Sequence, residues 1–282
     1  MGESARATAA STLYVVATPI GHLDDLSPRA AQVLGEVDAI LVEDTRQSAV
    51  LLRHAGISRP MLAVHEHNEG ERAAALVERL RAGQRLALIS DAGTPLISDP
   101  GYRLVAAVRA AGFAVSPIPG PCALVAALSV AGLPTDRFSF EGFLPARAGE
   151  RRTRLESVAT DARTLVYYEA PHRIEETLEA AIAAFGADRR AVIGRELTKR
   201  FETILDGTLA DLLARVKADA DQQRGEIVLV IAGAPASDDA ARIAEGKRLY
   251  ALLVAELPPA RAAKVAAAWV GVPKKALYGG GE

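Results

Sequence analysis

The sequence of 282 residues lacks several features that identify common classes of protein. It contains a single cysteine, Cys122, so no disulfide can form within the chain, which indicates a reducing compartment. No apolar run approaches the roughly 20 residues that a membrane-spanning helix needs. Residues 1–11 contain no apolar leader segment. The net charge of −2 excludes coating of nucleic acid or membranes through overall charge, although a local basic surface is still allowed. We expect a cytoplasmic protein.

Common nucleotide and zinc motifs are also missing. The sequence contains no G-x-x-x-x-G-K-[ST] pattern, and no G-x-G-x-x-G pattern follows its first apolar segment, which argues against ATP and NAD. Residues 65–69 read H-E-H-N-E, and Glu69 occupies the position where the zinc motif H-E-x-x-H needs histidine. We therefore expect no metal. His65 or His67 is a candidate for substrate contact or proton transfer, and an ordinary surface loop is the alternative.

The most informative segment that is present is S-D-A-G-T-P-L-I-S-D-P-G at 90–101. It follows an apolar stretch at 86–89, which predicts a buried strand, and it precedes helical spacing at 102–108. A loop that only connects two elements needs a few residues, whereas this one has twelve. Because open α/β sheets bind ligands beyond the carboxyl ends of their strands, the segment predicts a binding loop.

Strand and helix patterns alternate along the chain. They predict a mostly parallel α/β domain at 13–134 and a second α/β domain at 135–234, preceded by a disordered extension at 1–12. Residues 235–282 predict a linker, which begins at 233 and extends to 241, and a helical tail. The tail has helical segments at 248–256, 260–269 and 274–278. A G-V-P turn separates the last two, as in a helix-turn-helix.

Two further loops rich in small residues follow predicted strands, T-P-I-G at 18–21 and P-G-P-C at 119–122. Glycine and proline let the backbone approach a ligand closely, and apolar side chains such as Ile20 and Ile97 would cover its flat parts. A simple turn explains any one of these loops about equally well. Together with residues 90–101, however, they predict a cofactor cleft.

A charged cluster, E-D-T-R at 43–46, follows the second predicted strand. Glu43 and Asp44 are candidates to act as a base or to orient a hydroxyl, and Arg46 is a candidate to hold a phosphate. A local ion pair that caps the next helix explains the same residues about equally well.

Basic residues of the second predicted domain are candidates for a phosphate-binding surface on an otherwise acidic chain. Solvated helix surfaces also carry arginine, so the pattern favours RNA only modestly. The candidates are Arg147, Arg151, Arg152, Arg154, His172, Arg173, Lys199 and Arg200.

The chain resembles the ribosomal RNA small subunit methyltransferase I family of the tetrapyrrole (corrin/porphyrin) methylase superfamily. The resemblance extends from Leu13 to about Tyr278 and depends on many motifs in a fixed order. These motifs lie at 18–21, 43–46, 65–69, 90–101, 119–123, 141–145, 171–173 and 196–199. Two departures occur, since His22 stands where the family usually has asparagine and Ala170 replaces a usual serine.

The resemblance implies two α/β domains of the tetrapyrrole-methylase type with a small helical C-terminal tail, and a homodimer. It implies S-adenosylmethionine-dependent 2'-O-methylation of a cytidine in the decoding region of small-subunit (16S) rRNA, free or in the assembled subunit. Tyr168 and Leu197 lie where the second domain would close over the cofactor. The positions that match the superfamily's cofactor-contacting loops are Pro19, Ile20, Gly21, Gly93, Thr94, Pro95, Ile97, Ser98, Cys122 and Ala123.

Two other functions remain open on the sequence alone. The same fold can methylate a small tetrapyrrole, and a non-catalytic RNA-binding factor would show the same basic residues. For a methyltransferase, the candidate catalytic groups are Glu43, Asp44, Arg46 and His65, with no choice among them.

Overall fold

A computed structural model describes residues 11–64, 69–235 and 239–278. The described chain divides into two compact units. The first contains the residues up to Ser157 together with Thr164–Ala232, and the second contains Val158–Arg163 and the residues from Gly233 onward. Within these ranges no helix has the combination of length and apolarity required to cross a membrane.

The first unit begins with a five-stranded sheet, and every strand pair in it is parallel. The strand order is β3-β2-β4-β1-β5. The strands are β1 (Thr12–Val16), β2 (Ala39–Val42), β3 (Met61–Ala63), β4 (Leu86–Leu88) and β5 (Ala114–Ile118). The prediction of a mostly parallel sheet is confirmed. Because all five strands point the same way, the loops that follow them gather at one edge of the sheet.

Helices cover both faces of this sheet because side chains alternate along each strand. Leu41 packs with the helices α3 and α4, whereas Ile40 and Val42 pack with α1 and α2. The helices are α1 (Pro28–Glu36), α2 (Thr45–His54), α3 (Glu69–Arg81), α4 (Tyr102–Ala110) and α5 (Ala123–Val130). Ser27 caps α1 by accepting a hydrogen bond from the Ala30 N–H at 3.1 Å, and serine is a preferred residue at this position.

A second five-stranded sheet has the order β6-β7-β10-β8-β9, and only β6 and β7 pair in parallel. Its strands are β6 (Phe138–Phe143), β7 (Thr164–Glu169), β8 (Arg190–Arg195), β9 (Thr203–Thr208) and β10 (Ile227–Ile231). Its helices are α6 (Ala148–Ser157), α7 (Ile174–Phe185) and α8 (Leu209–Ala218). Helix α5 joins the two sheets, since Leu124 and Leu128 pack in one cluster with Val166 and Val228.

The second unit contains three helices, α9 (Asp239–Leu253), α10 (Pro259–Val270) and α11 (Lys274–Tyr278). Helix α9 begins inside the segment 233–241, which the sequence analysis predicts to be a linker. The prediction was wrong there because Asp239 and the alanines after it carry no apolar periodicity. Alanine nevertheless has the highest intrinsic helix propensity.

Candidate active site

Hydrogen bonds join the three loops that were predicted to bind a ligand. The Thr18 N–H donates to the Gly93 carbonyl at 2.9 Å, and the buried Thr18 hydroxyl lies 3.2 Å from the carbonyl oxygens of Ser90 and Gly93. The Thr94 hydroxyl donates to the Pro121 carbonyl at 2.9 Å. The loops after β1, β4 and β5 therefore form one continuous surface.

Two facing loops carry backbone strain. Leu96 and Ser98 have φ values of 73° and 65°, and Glu196 and Thr198, in the loop after β8, have values of 51° and 64°. Residues other than glycine seldom adopt this left-handed region, and each costs about 1–3 kcal/mol unless its surroundings hold it there. Such strain concentrates at ligand sites, so both loops are candidates for ligand contact.

The loop at 18–21 lies directly against the loop at 196–200. A Cβ atom on Gly21 would lie 2.4 Å from Cγ of Lys199, so only glycine permits this approach. The His22 N–H donates to the Thr198 hydroxyl at 3.1 Å. The His22 side chain accepts from the Asp24 N–H at 3.3 Å, which gives this departure from the family pattern a local structural role.

A cleft of about 310 Å³ opens between these loops and the second sheet. Eight predicted cofactor residues line it: Ile20, Gly93, Thr94, Ile97, Ser98, Cys122, Ala123 and Tyr168. Pro19 and Gly21 line a neighbouring pocket instead. Pro95 and Leu197 are buried and do not line the cleft. The cofactor role of all these residues stays a prediction, and the geometry divides them into lining and supporting groups.

Sequence reasoning missed Phe143 and Glu226 as lining residues. The Phe143 ring stands edge-on to the Tyr168 ring, with 5.7 Å between the ring centroids. Phe143 is 55% exposed although it is large and apolar, and this exposure is visible only in the folded chain. Glu226 directly precedes β10, and its position before a buried strand was the one signal available in the sequence.

The walls of the cleft carry acidic side chains. Asp99, Glu169 and Glu226 line it, and none of its described lining residues is positively charged. Burial raises the pKa of Asp99, and the charge of Asp91 raises it further. The Glu169 carboxylate is occupied, because it accepts hydrogen bonds from Arg173 and from the Thr177 hydroxyl. Such a cleft suits a ligand with a positive charge and disfavours a polyphosphate.

Tyr168 connects the cleft to helix α5. Its hydroxyl oxygen accepts a hydrogen bond from the Leu124 N–H at 3.2 Å, which satisfies one of the unpaired amides in the first turn of that helix. Burial raises the pKa of Tyr168, and the neighbouring Cys122 adds to the effect. Tyr168 is therefore a neutral hydroxyl at physiological pH.

The catalytic candidates Glu43, Asp44 and Arg46 line a second pocket, of about 470 Å³, together with Asp91. Asp44 caps α2 by accepting a hydrogen bond from the Arg46 N–H at 2.8 Å, and it pairs with the Arg46 guanidinium at 3.0 Å. The side-chain hydrogen bond from Arg46 is the main reason why the pKa of Asp44 is lowered. The helix-capping alternative thus describes Asp44 well. His65 lies outside the described residues.

Asp91 is a further acidic residue of this pocket that sequence reasoning did not select. Its Oδ1 accepts a hydrogen bond from the Asp44 N–H at 3.2 Å. Burial raises the pKa of Asp91, and the charge of Asp44 raises it further. Asp91 also lines the neighbouring pocket that contains Pro19 and Gly21. Ile20 and Ala92 line both that pocket and the cleft. Asp91 therefore lines the acidic pocket and the neighbouring pocket but does not line the cleft itself.

Three of the predicted RNA-binding cations are already paired inside the protein. Arg151 is 3% exposed and lies 2.6 Å from Glu176. Arg173 forms a buried ion pair with Glu169. Lys199 lies 3.0 Å from Glu196 and 3.1 Å from Glu226. These ion pairs would have to break before the three cations could bind a phosphate, so their geometry favours a structural role.

The remaining predicted cations are exposed on the first unit. Arg147 pairs with Glu150 at 3.1 Å and Arg152 pairs with Glu156 at 3.5 Å; both pairs are exposed, and such pairs contribute about 0–1 kcal/mol. Arg154 is half-exposed but pairs with Glu141, whose side chain is buried. The five exposed candidates are Arg147, Arg152, Arg154, His172 and Arg200. Phosphate binding by these five stays a prediction, and their exposure permits it.

Two protein families match the chain. The family described as Tetrapyrrole (Corrin/Porphyrin) Methylases matches residues 12–213. The family described as RsmI C-terminal HTH domain matches residues 240–279.

Two curated relatives match over almost their whole lengths. The chain is 58% identical to Ribosomal RNA small subunit methyltransferase I of Xylella fastidiosa over a match of 269 residues. This match covers 95% of this chain and 98% of the relative. The chain is 55% identical over 270 residues to the protein of the same name from Pseudomonas aeruginosa, which covers 95% of this chain and 96% of the relative. Among solved structures, diphthine synthase matches with a TM-score of 0.59 and 16% identity, over 78% of this chain and 89% of that one. At that identity the match shows the fold alone.

Proposed function

The chain belongs to the ribosomal RNA small subunit methyltransferase I family of tetrapyrrole methylases, and on that premise we propose that it 2'-O-methylates a cytidine in the decoding region of 16S rRNA. We propose S-adenosylmethionine as the methyl donor. The names of its relatives support methyl transfer to small-subunit rRNA. The observation that carries the proposal is the acidic, small-residue cleft at the carboxyl edge of the parallel sheet, with a carboxylate pocket beside it.

The residues of the cleft fit the proposed donor. When bound, S-adenosylmethionine supplies an electrophilic methyl group on a positively charged sulfur. The carboxyl groups of Asp99 and Glu226 line the cleft, whereas Lys199, the ion-pair partner of Glu226, is not among its described lining residues. Gly93 permits close approach of the backbone, since a Cβ there would lie 3.1 Å from Cγ2 of Ile20. Ile20 and Ile97 provide apolar contacts that exclude water.

The acidic pocket provides groups that can accept a proton. A ribose 2'-hydroxyl is a weak nucleophile until its proton is withdrawn, and a positioned carboxylate contributes about 10²–10⁴-fold to such a step. Asp44 is engaged in capping α2, so its charge acts mainly on its neighbours. Glu43 and Asp91 are the carboxylates that we assign to the 2'-hydroxyl. The Arg46 side chain is 89% exposed and is placed to hold a phosphate of the same strand.

We propose a homodimer on the basis of the family resemblance, and light scattering of the purified protein tests this directly. A cytoplasmic location follows from the proposed rRNA substrate.

Transfer of a labelled methyl group tests the proposed activity. Small ribosomal subunits and naked 16S rRNA would be incubated separately with the protein and labelled S-adenosylmethionine, then digested to nucleosides. We expect label in 2'-O-methylcytidine. Label in another nucleoside would correct the target. No label in either RNA, with the donor shown to bind by calorimetry, would overturn the rRNA assignment and favour a tetrapyrrole substrate.

A further inference from the structure

The exposed side of helix α10 combines positive charge with the only tryptophan in the sequence. Side chains three or four positions apart share one side of a helix. From residue 261 onward the exposed positions of α10 follow this spacing, and we call them the α10 surface: Arg261, Lys264, Val265, Ala268 and Trp269. The opposite side is buried and consists of Ala262, Ala263, Ala266, Ala267 and Val270.

Trp269 contributes nothing to the core of the second unit. It is 77% exposed, a larger fraction than for any other large hydrophobic residue that the structure describes. Tryptophan is normally among the residues that bury the most area, so a nearly free indole on a small helical unit indicates a contact surface. Arg261 and Lys264 lie on the same side and make no side-chain ion pair with the part of the chain that the structure describes.

Packing holds the α10 surface in place. A Cβ on Gly246 of α9 would lie 2.6 Å from Leu277 and 2.9 Å from Val270, so α9 approaches its two neighbours closely. The Arg242 side chain donates to the carbonyls of Val270 at 2.8 Å and of Gly271 at 2.6 Å. These bonds satisfy carbonyls at the end of α10. Because the helix is already held in place, little conformational entropy is lost when a ligand binds to it.

The charge of this part of the chain is opposite to that of the whole. Residues 239–278 contain seven basic and three acidic side chains, whereas the full sequence has a net charge of −2. A local excess of positive charge next to an exposed aromatic ring is complementary to a single-stranded nucleic acid. The backbone binds to the cations and a base stacks on the ring.

We propose that the α10 surface binds the substrate rRNA at an unpaired segment, with Arg261 and Lys264 on phosphates and Trp269 stacked on one base. This rests on the proposed rRNA substrate. Insertion of α10 into a duplex is disfavoured, since the major groove of A-form RNA is too narrow for side chains to read. Membrane binding is also disfavoured, because an interfacial helix needs a broad apolar side and that side of α10 is buried.

The single tryptophan makes the test direct, because all indole fluorescence of the full chain comes from Trp269. A short single-stranded RNA and small ribosomal subunits would each be titrated into the protein. We expect RNA to quench the fluorescence with the same midpoint as binding measured by filter retention. An RNA duplex of equal length should quench much less.

Matched variants separate stacking from charge. Trp269→Ala should weaken binding of the single-stranded RNA by about tenfold, and Trp269→Phe should restore most of the loss. Arg261→Glu with Lys264→Glu should reduce the slope of log affinity against log salt by about 1–2. The controls are Leu252→Ala, which removes another exposed apolar side chain of the second unit, and Arg29→Glu on α1. Circular dichroism and binding of S-adenosylmethionine should be unchanged in all variants.

The outcomes separate this proposal from the proposed activity. Methylation of subunits by the wild type, with no quenching and no effect of the variants on KM, would overturn the role of the α10 surface. A blue shift of Trp269 emission with protein concentration alone would assign the surface to a second copy of the chain. Quenching by vesicles of anionic lipid but not by RNA would assign it to a membrane. Failure of the wild type to methylate any RNA, while RNA still quenches Trp269, would overturn the activity alone.

Discussion

At the scale of single residues, the site depends on carboxylates held where the charged form is disfavoured. Asp91 and Asp99 both have a raised pKa, with burial as the largest cause. A carboxyl group whose pKa is higher in the folded than in the unfolded chain stabilises the fold at low pH. That contribution is lost as the pH rises through the raised pKa. These two residues therefore cost stability at neutral pH, which is common where a group is kept for function.

Replacement of Asp91 by asparagine should show how much stability its buried carboxylate costs at neutral pH. We expect Asp91→Asn to lower single-turnover methyl transfer by about 100-fold, because a proton acceptor is removed. The free energy of unfolding should rise relative to the wild type at neutral pH. It should match the wild type below the pKa of free aspartate, about 3.9. Urea denaturation at both pH values checks this. Asp188→Asn, at an exposed aspartate, is the control. Unchanged transfer would remove Asp91 from the mechanism.

Gly93 tests the cleft itself. Its φ of 83° disfavours any side chain, and an added Cβ would lie 3.1 Å from Ile20. Gly93→Ala should weaken binding of S-adenosylmethionine by about tenfold and lower stability by about 1 kcal/mol. Calorimetry and urea denaturation measure the two effects. Gly149→Ala is the matched control, since nothing lies within 4 Å of its added Cβ. Normal donor binding by Gly93→Ala would place the cofactor elsewhere.

At the scale of secondary-structure elements, the buried carboxylate of Glu169 joins the end of β7 to α7 and to Arg173, which directly precedes α7. The Glu169 side chain is fully buried, and its Oε2 accepts a hydrogen bond from the Thr177 hydroxyl at 2.6 Å. Its Oε1 accepts from the backbone N–H of Ala170 at 2.7 Å and from the Arg173 Nε at 2.9 Å. Both oxygens are therefore satisfied.

Removal of one partner would leave a buried charge without compensation. We expect Arg173→Ala to lower the free energy of unfolding by about 3 kcal/mol. Arg147→Ala, at an exposed residue directly before α6, should change it by less than about 0.5 kcal/mol. Urea denaturation of both variants decides between a structural and an RNA-binding role for Arg173. Unchanged stability with weaker RNA binding would restore the RNA interpretation.

At the scale of the whole molecule, a net charge of −2 means that RNA binding must depend on local cations. The slope of log affinity against log salt counts the phosphates that those cations neutralise. Replacement of Arg147, Arg152 or Arg200 by alanine should therefore reduce the slope by about 1 per contact. Arg151→Ala should destabilise the fold instead. Filter binding to small ribosomal subunits at several salt concentrations measures the slopes. Slopes equal to that of the wild type in all three variants would exclude Arg147, Arg152 and Arg200 from the interface.

The sequence by itself determined the parallel sheet, the loops at 18–21, 90–101 and 119–122, and the family. These features follow from apolar periodicity and from glycine and proline, which act within a few residues of themselves. It did not predict β9, because T-I-L-D-G-T contains only two apolar residues and pairs with β8 at the edge of the second sheet.

Tertiary structure alone decided which charged residues are free to act. Arg151 and Arg152 are adjacent in the sequence, yet the first is buried against Glu176 and the second is exposed. Asp91 approaches the Asp44 backbone only because β4 pairs with β2. Trp269 remains exposed because α9 packs against the other side of α10 and buries its alanines. Charges and rings take their roles from partners distant in the sequence, and local pattern carries no information about those partners.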